Sequence, residues 1–230
     1  MIDFDTFKQQ IRKAAHENHS CVDGYRAMMA AQSYTQMLRV MYNNWDWVYN
    51  GGFYEVFCQY FGQWFDGHEA DFHAAVVYYN EPSDHGFVFV DKPEKRLSIG
   101  GQAKVFVLAP SVVDVCNRAT VYCRADNSYI MLRNSAYGVI KKGFCVGFDY
   151  SKAQSYGVFE TRDHSSVIIR DGKCLDLGHE QIRAYNSTVY GFNQYHVELN
   201  EGSTLQVPDD DIMKLIPNLP YNEKGEIINA

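Results

Sequence analysis

Histidines, cysteines and carboxylates that fall close together are the residues most able to do chemistry in this chain. His68-Glu69-Ala70-Asp71-Phe72-His73 invites comparison with the HExxH zinc helix, in which two imidazoles four residues apart face one metal. Here the spacing is five, which turns the second ring away from the first. A solvated helix start explains the cluster better. His16, His19 and Cys21 form a second group, but no local Cys/His pair completes four ligands. No metal site is expected. A Cys–His nucleophilic pair needs a thiol activated by its neighbours, and nothing local singles out any of the six cysteines. Asp163-His164 and Asp171 lie eight residues apart, and two carboxylates on one face would suit sugar hydrolysis. Turns favour Asp for backbone reasons alone, so no catalytic residue is assigned and no cofactor is implied.

Two stretches are better suited to binding than to catalysis. Between Cys116 and Lys152 the basic residues Arg118, Arg124, Arg133, Lys141, Lys142 and Lys152 face only Asp126 and Asp149. Tyr122, Phe148 and Tyr150 interleave with them, the mixture of cations and rings that suits single-stranded RNA or an acidic protein. The densest aromatic patch contains Trp45, Trp47 and Trp64. Such rings are either helical core or a surface where Trp and Tyr dominate binding energy.

Helical spacing governs the elements that carry the tryptophans. Phe4, Phe7, Ile11 and Ala14-Ala15 recur at helical intervals, with Asp3 or Asp5 available as a cap. Further segments follow Asp23, run from Ser33 to Val48 before Gly51-Gly52, span Phe53 to Phe65, and extend from His68 to about Tyr79. Five short helices are expected over residues 1–82. Residues 83–101 read as a linker or small β-element around Phe87-Val88-Phe89-Val90.

The basic stretch lies in a different regime. From Val105 onward an apolar-x-apolar pair recurs at Val113, Val121, Tyr129, Tyr137, Cys145 and Ala153, in steps of eight, and continues with slightly shorter steps to Leu205. A small residue sits two places before most pairs, as at Ala103, Ser111, Ala119, Ser135, Ser151 and Ser165. Strand side chains alternate, so each pair points to one face and the small residue marks a corner. A fixed short period over a hundred residues signals a coiled repeat. The expected fold class is α+β: an N-terminal helical domain, then a β-solenoid (a parallel β-helix) over residues 102–207 with sides of about eight residues. A three-sided coil is favoured over a two-sided one. Residues 208–230, with a short helix at Ile212 to Ile216, are expected to cap the far end.

The octads resemble those of β-solenoid proteins common in phage and prophage genomes. The six-residue step of hexapeptide acyltransferases and the five-residue step of pentapeptide-repeat proteins are absent. The resemblance implies architecture, and a phage or mobile-element origin would make an inhibitor of a host defence system a natural role. A net charge of −7 argues against duplex DNA, whose affinity rests on phosphate neutralisation. No apolar run reaches the roughly 18–20 residues of a membrane span. Scattered cysteines without CxxC pairs point to reduced thiols and a cytoplasmic setting. The expected function is non-enzymatic binding of another macromolecule, with a protein as partner, RNA or a ribonucleoprotein as the next choice, and a homodimer as the default self-association. A carbohydrate-active β-helix enzyme is the alternative.

Overall fold

A computed structural model describes residues 2–50, 53–191 and 195–208. Gly51-Gly52 and the expected helix and cap within 209–230 lie outside the described residues. The chain forms two compact units, Met1–Tyr79 and Asn80–Ala230.

The first unit contains α1 (Phe4–Glu17), α2 (Val22–Ala30), α3 (Tyr34–Asn43), α4 (Trp45–Asn50), α5 (Phe53–Phe65), α6 (Glu69–Ala74) and a short strand, β1 (Val77–Tyr79). Asp3 caps α1 by accepting from the Thr6 N–H at 2.8 Å, and these Thr6 hydrogen bonds hold its carboxyl below the usual range. Phe7, Ile11, Ala14 and Ala15 make the buried stripe of α1, in keeping with their spacing. Among the described residues six helices form instead of five. The Ser33–Val48 segment breaks at Asn44, whose side-chain amide donates to the Val40 carbonyl at 2.8 Å and satisfies the end of α3. The last expected helix stops early, because Val76 adopts a positive φ of 54° and the chain continues as β1.

The second unit is a parallel β-solenoid of about 8 turns. Sheet I holds β2 (Phe87–Val90), β4 (Lys104–Val107), β6 (Thr120–Cys123), β8 (Tyr137–Ile140), β10 (Lys152–Ser155), β12 (Ser166–Arg170), β14 (Gln181–Tyr185) and β16 (Val197–Leu199), in that order. Sheet II holds β3 (Leu97–Ile99), β5 (Val112–Val115), β7 (Tyr129–Leu132), β9 (Phe144–Gly147), β11 (Val158–Thr161), β13 (Lys173–Asp176), β15 (Thr188–Tyr190) and β17 (Thr204–Gln206). Residues 83–101 thus supply β2 and β3, the first turn of the coil. Successive strands alternate between the two sheets, so the coil has two sides and not the three expected. One octad makes half a turn: Val105 pairs with Val121 and Val113 with Ile130.

The inner rows are Val88, Val105, Val121, Gly138, Ala153, Val167 and Ile182 in sheet I and Val113, Ile130, Cys145, Phe159, Cys174 and Val189 in sheet II. All of those in sheet II are fully buried, and complete burial of each large apolar side chain contributes roughly 1.5–3 kcal/mol. The expected phase slips by one residue at three rungs. Tyr129, Tyr137 and Leu175 point outward, while Ile130, Gly138 and Cys174 point inward. At Gly138 a side chain would displace its neighbour, since a Cβ would come within 2.9 Å of Leu132 Cδ1. The outward face of sheet II is itself apolar and buried over Val112, Tyr129, Met131, Phe144 and Val146, so alternation is weakest there.

Candidate functional site: one rim of the coil

A two-sided coil has two rims, where the chain crosses between sheets. The turns leading from sheet II to sheet I stack into one rim, and those from sheet I to sheet II into the other. In the first rim each turn needs a residue with positive φ, supplied by Gly101, Asn117, Asn134, Asp149, Asp163, Gly178 and His196. Gly, Asn and Asp tolerate this region best. Gly101 also allows close contact: a Cβ there would lie 1.9 Å from the Asp84 carbonyl oxygen. The small residues close these turns. Ala119, Ser151 and Ser165 donate N–H bonds to the carbonyls of Cys116, Phe148 and Arg162 at 3.1–3.2 Å and are buried. At the rung between them Ala136, not Ser135, does this work.

This first rim carries exposed apolar side chains. Six large hydrophobic residues stand most open to solvent among the described residues, and three lie here: Tyr150 at 64%, Leu177 at 53% and Tyr195 at 73% exposed. Tyr150 stacks nearly parallel on His164 of the next turn, with centroids 5.3 Å apart. Phe148 lies between the guanidinium groups of Arg133 and Arg162, at 4.5 and 5.5 Å, a cation–π arrangement. Arg133 is held in turn by Asp114 at 3.1 Å, which also binds Arg96. Arg162 pairs with the buried Glu160.

Beyond these rings a cavity of about 540 Å³ opens, lined by Asp163, His164, Leu177, His179, Tyr195 and His196 among others. Its floor is a buried pair. His179 Nδ1 lies 2.7 Å from Asp176 Oδ1, and His179 Nε2 lies 2.6 Å from the Tyr195 carbonyl oxygen. Both ring nitrogens thus face oxygen atoms, one of a carboxylate and one of a backbone carbonyl. Asp176 Oδ1 also accepts from the Thr161 hydroxyl and the Gly178 N–H. The Asp176–His179 pair therefore ties three consecutive turns together and fixes the backbone that presents Tyr195.

The binding residues expected from the sequence do not form one surface. Arg118 and Arg133 lie on this rim, whereas Arg124, Lys141 and Lys142 lie on the opposite one, since half a turn separates them. There Lys142 pairs with Asp126 at 2.8 Å, and Lys141 sits 3.5 Å above the Tyr156 ring. Tyr122 is buried and stacks on Phe106. Asp163 and Asp171 likewise fall on opposite rims and cannot flank one glycosidic bond.

In the helical unit, Trp64 is 1% exposed and its Nε1–H donates to Gln10 Oε1 at 2.6 Å. Trp47 packs edge-on against Phe53, and both Trp45 and Trp47 are half-buried in α4. Of the three, Trp64 belongs to the buried core. His68 bonds the Ile2 carbonyl and stacks on Tyr34, while His73 packs against Phe65 and Tyr78. Cys21 caps α2 through its sulfur. Among the described residues, no group of three His, Cys, Asp or Glu side chains is placed to hold a metal, and no helix is long and apolar enough to cross a membrane.

Sequence reasoning missed Leu177, His179 and Tyr195. Leu177-Gly178-His179 follows directly after an apolar pair, and a two-sided register would have stacked it above Arg162-Asp163-His164. No protein-family model, curated protein or solved structure matches the chain.

Proposed function

We propose that this chain is a non-enzymatic interaction protein and that the rim from Arg133 to His196 takes up a protein partner. The observation that carries the reading is the gathering of Tyr150, Leu177 and Tyr195, three of the six most exposed large hydrophobic residues among those described, on one rim of the coil, next to a cavity large enough for an anchoring side chain. Interfaces draw their energy from such aromatic anchors. The octads' resemblance to phage-type solenoids extends the proposal: the partner is a component of a host defence system, which the chain blocks by occupying it. An RNA partner fits less well, because the cations of residues 116–152 divide between two rims. The test is capture of a host protein on the immobilised full chain, compared with a Tyr150→Ser, Leu177→Asp, Tyr195→Ser variant. A protein held by the wild type and lost by the variant supports the reading. Equal retention on both, or dimerisation of the chain through this rim in sedimentation, overturns it.

A further inference from the structure

His179 lies at the floor of the rim cavity with both ring nitrogens engaged: Nδ1 is 2.7 Å from Asp176 Oδ1, and Nε2 is 2.6 Å from the Tyr195 carbonyl oxygen. The two side chains are 6% and 5% exposed, which leaves little room for water to replace either contact. A carbonyl oxygen only accepts, so the contact at Nε2 requires a proton on that nitrogen. A neutral imidazole carries one proton. With it on Nε2, Nδ1 is bare and faces a carboxyl oxygen, an arrangement that holds only if a second proton lies between the two. The Thr161 hydroxyl and the Gly178 N–H donate to that same oxygen at 3.1 and 3.2 Å, and such donors favour the ionised carboxylate.

Other titratable groups surround the pair. Asp163 and His164 approach from the preceding turn and His196 from the following one. His164 is 3.9 Å from Glu180, with both side chains more than half exposed, where solvent and salt screen them. Inside the coil, burial and then the Asp176 charge push the Cys174 thiol up, so it stays neutral.

We infer that the Asp176–His179 pair is a proton-dependent clamp on the rim: an imidazolium against a carboxylate holds the Tyr195 carbonyl, and loss of one proton releases it. The carboxylate, as the stronger acceptor, keeps the proton on Nδ1. Nε2 then presents a lone pair to the carbonyl oxygen. The contact is therefore present at low pH and lost as pH rises, because the closed rim binds the extra proton. The inference rests on the protein-binding reading of this rim for its consequence, since Tyr195 is one of the proposed anchors. It adds regulation: partner uptake follows proton concentration.

The experiment follows the ring nitrogens of the isotope-labelled full chain by NMR from about pH 5 to 8. His179 is expected to be protonated at both nitrogens at the acid end and at Nδ1 alone at the other, with the backbone amides of Tyr195 and His196 moving in the same step. Asp176→Asn supplies an amide that donates to Nδ1, so one proton serves both contacts and the step should vanish. His164→Gln with His196→Gln should leave it in place. An unchanged His179 ring, an unmoved Tyr195 amide, a step that survives Asp176→Asn, or one that disappears with the two outer histidines overturns the inference. Should Asp176→Asn fail to fold, the wild-type spectra and the outer-histidine variant still decide it. Partner capture by the wild type is expected to weaken about tenfold over the same interval, the effect of one positioning hydrogen bond, and capture independent of pH overturns the regulatory role. The spectra need no partner. Failure of the clamp therefore shows as a flat titration with rim-dependent capture preserved, and failure of the rim reading shows the reverse.

Discussion

The two rims of the coil solve the same backbone problem with opposite surfaces. Both turn the chain through left-handed Asn, Asp or Gly residues: Asn134, Asp149 and Asp163 on one, Asn127, Gly143, Asp171 and Asn186 on the other. On the second rim the side chains are spent on one another, with Lys142 on Asp126, Asn186 on Asp171 and Lys141 on Tyr156. On the first, Tyr150, Leu177 and Tyr195 stand open to water while a buried Asp–His pair beneath them holds the turns in place. The same turn geometry thus leaves one rim electrostatically closed and the other with three exposed apolar side chains among its paired charges. The exposed rings are not a requirement of the fold, which is why they mark the candidate site.

The contrast can be broken most directly at the buried pair. Asp176→Ala strands His179 and Thr161, and loss of one partner from a buried pair costs about 3 kcal/mol, read as a lower urea midpoint. The counterpart on the other rim, Asn186→Ala, removes one exposed hydrogen bond and is expected to cost about 1 kcal/mol. Equal costs would show that the first rim has no special anchor. Next in size is an effect on binding alone. Leu177→Asp with Tyr195→Ser is expected to weaken partner binding by about 2–4 kcal/mol without moving the unfolding midpoint, whereas Lys142→Ser leaves binding unchanged. A smaller stability change follows Arg133→Gln, which loses the Phe148 stack and the Asp114 pair at a half-exposed position, about 1 kcal/mol. Smallest of all is Lys142→Ala. Its exposed pair contributes below about 0.5 kcal/mol, and the effect should vanish at high salt.

The coil itself was plain in the spacing, because an octad of apolar pairs with small corner residues has few physical solutions. The number of sides was not, since an eight-residue side fits a coil of two or three sides equally well. That one ambiguity propagated into the site. With three sides, Arg118 and Arg133 have no reason to align, and Leu177-Gly178-His179 has no reason to stack on Arg162-Asp163-His164. Phase was lost where both strand faces are apolar: Tyr129-Ile130-Met131-Leu132 is buried throughout, and alternation carries no information there. In the helical unit the aromatic density of Trp47, Phe53, Phe57 and Trp64 was legible as either core or surface. Packing puts Phe53, Phe57 and Trp64 in the core, with rings about 6 Å apart, and leaves Trp47 half-buried at its edge.

The inner rows also distribute the thiols unequally. Cys123, Cys145 and Cys174 sit inside the coil, where burial raises each thiol above its ordinary value, Cys123 to about 11, while Cys21 and Cys58 of the helical unit are exposed. An alkylating reagent should therefore label Cys21 and Cys58 at once, the half-buried Cys116 of the rim more slowly, and Cys123, Cys145 and Cys174 only when the rungs separate. The chain carries its own chemical clock for unwinding, readable by mass spectrometry without any engineered probe.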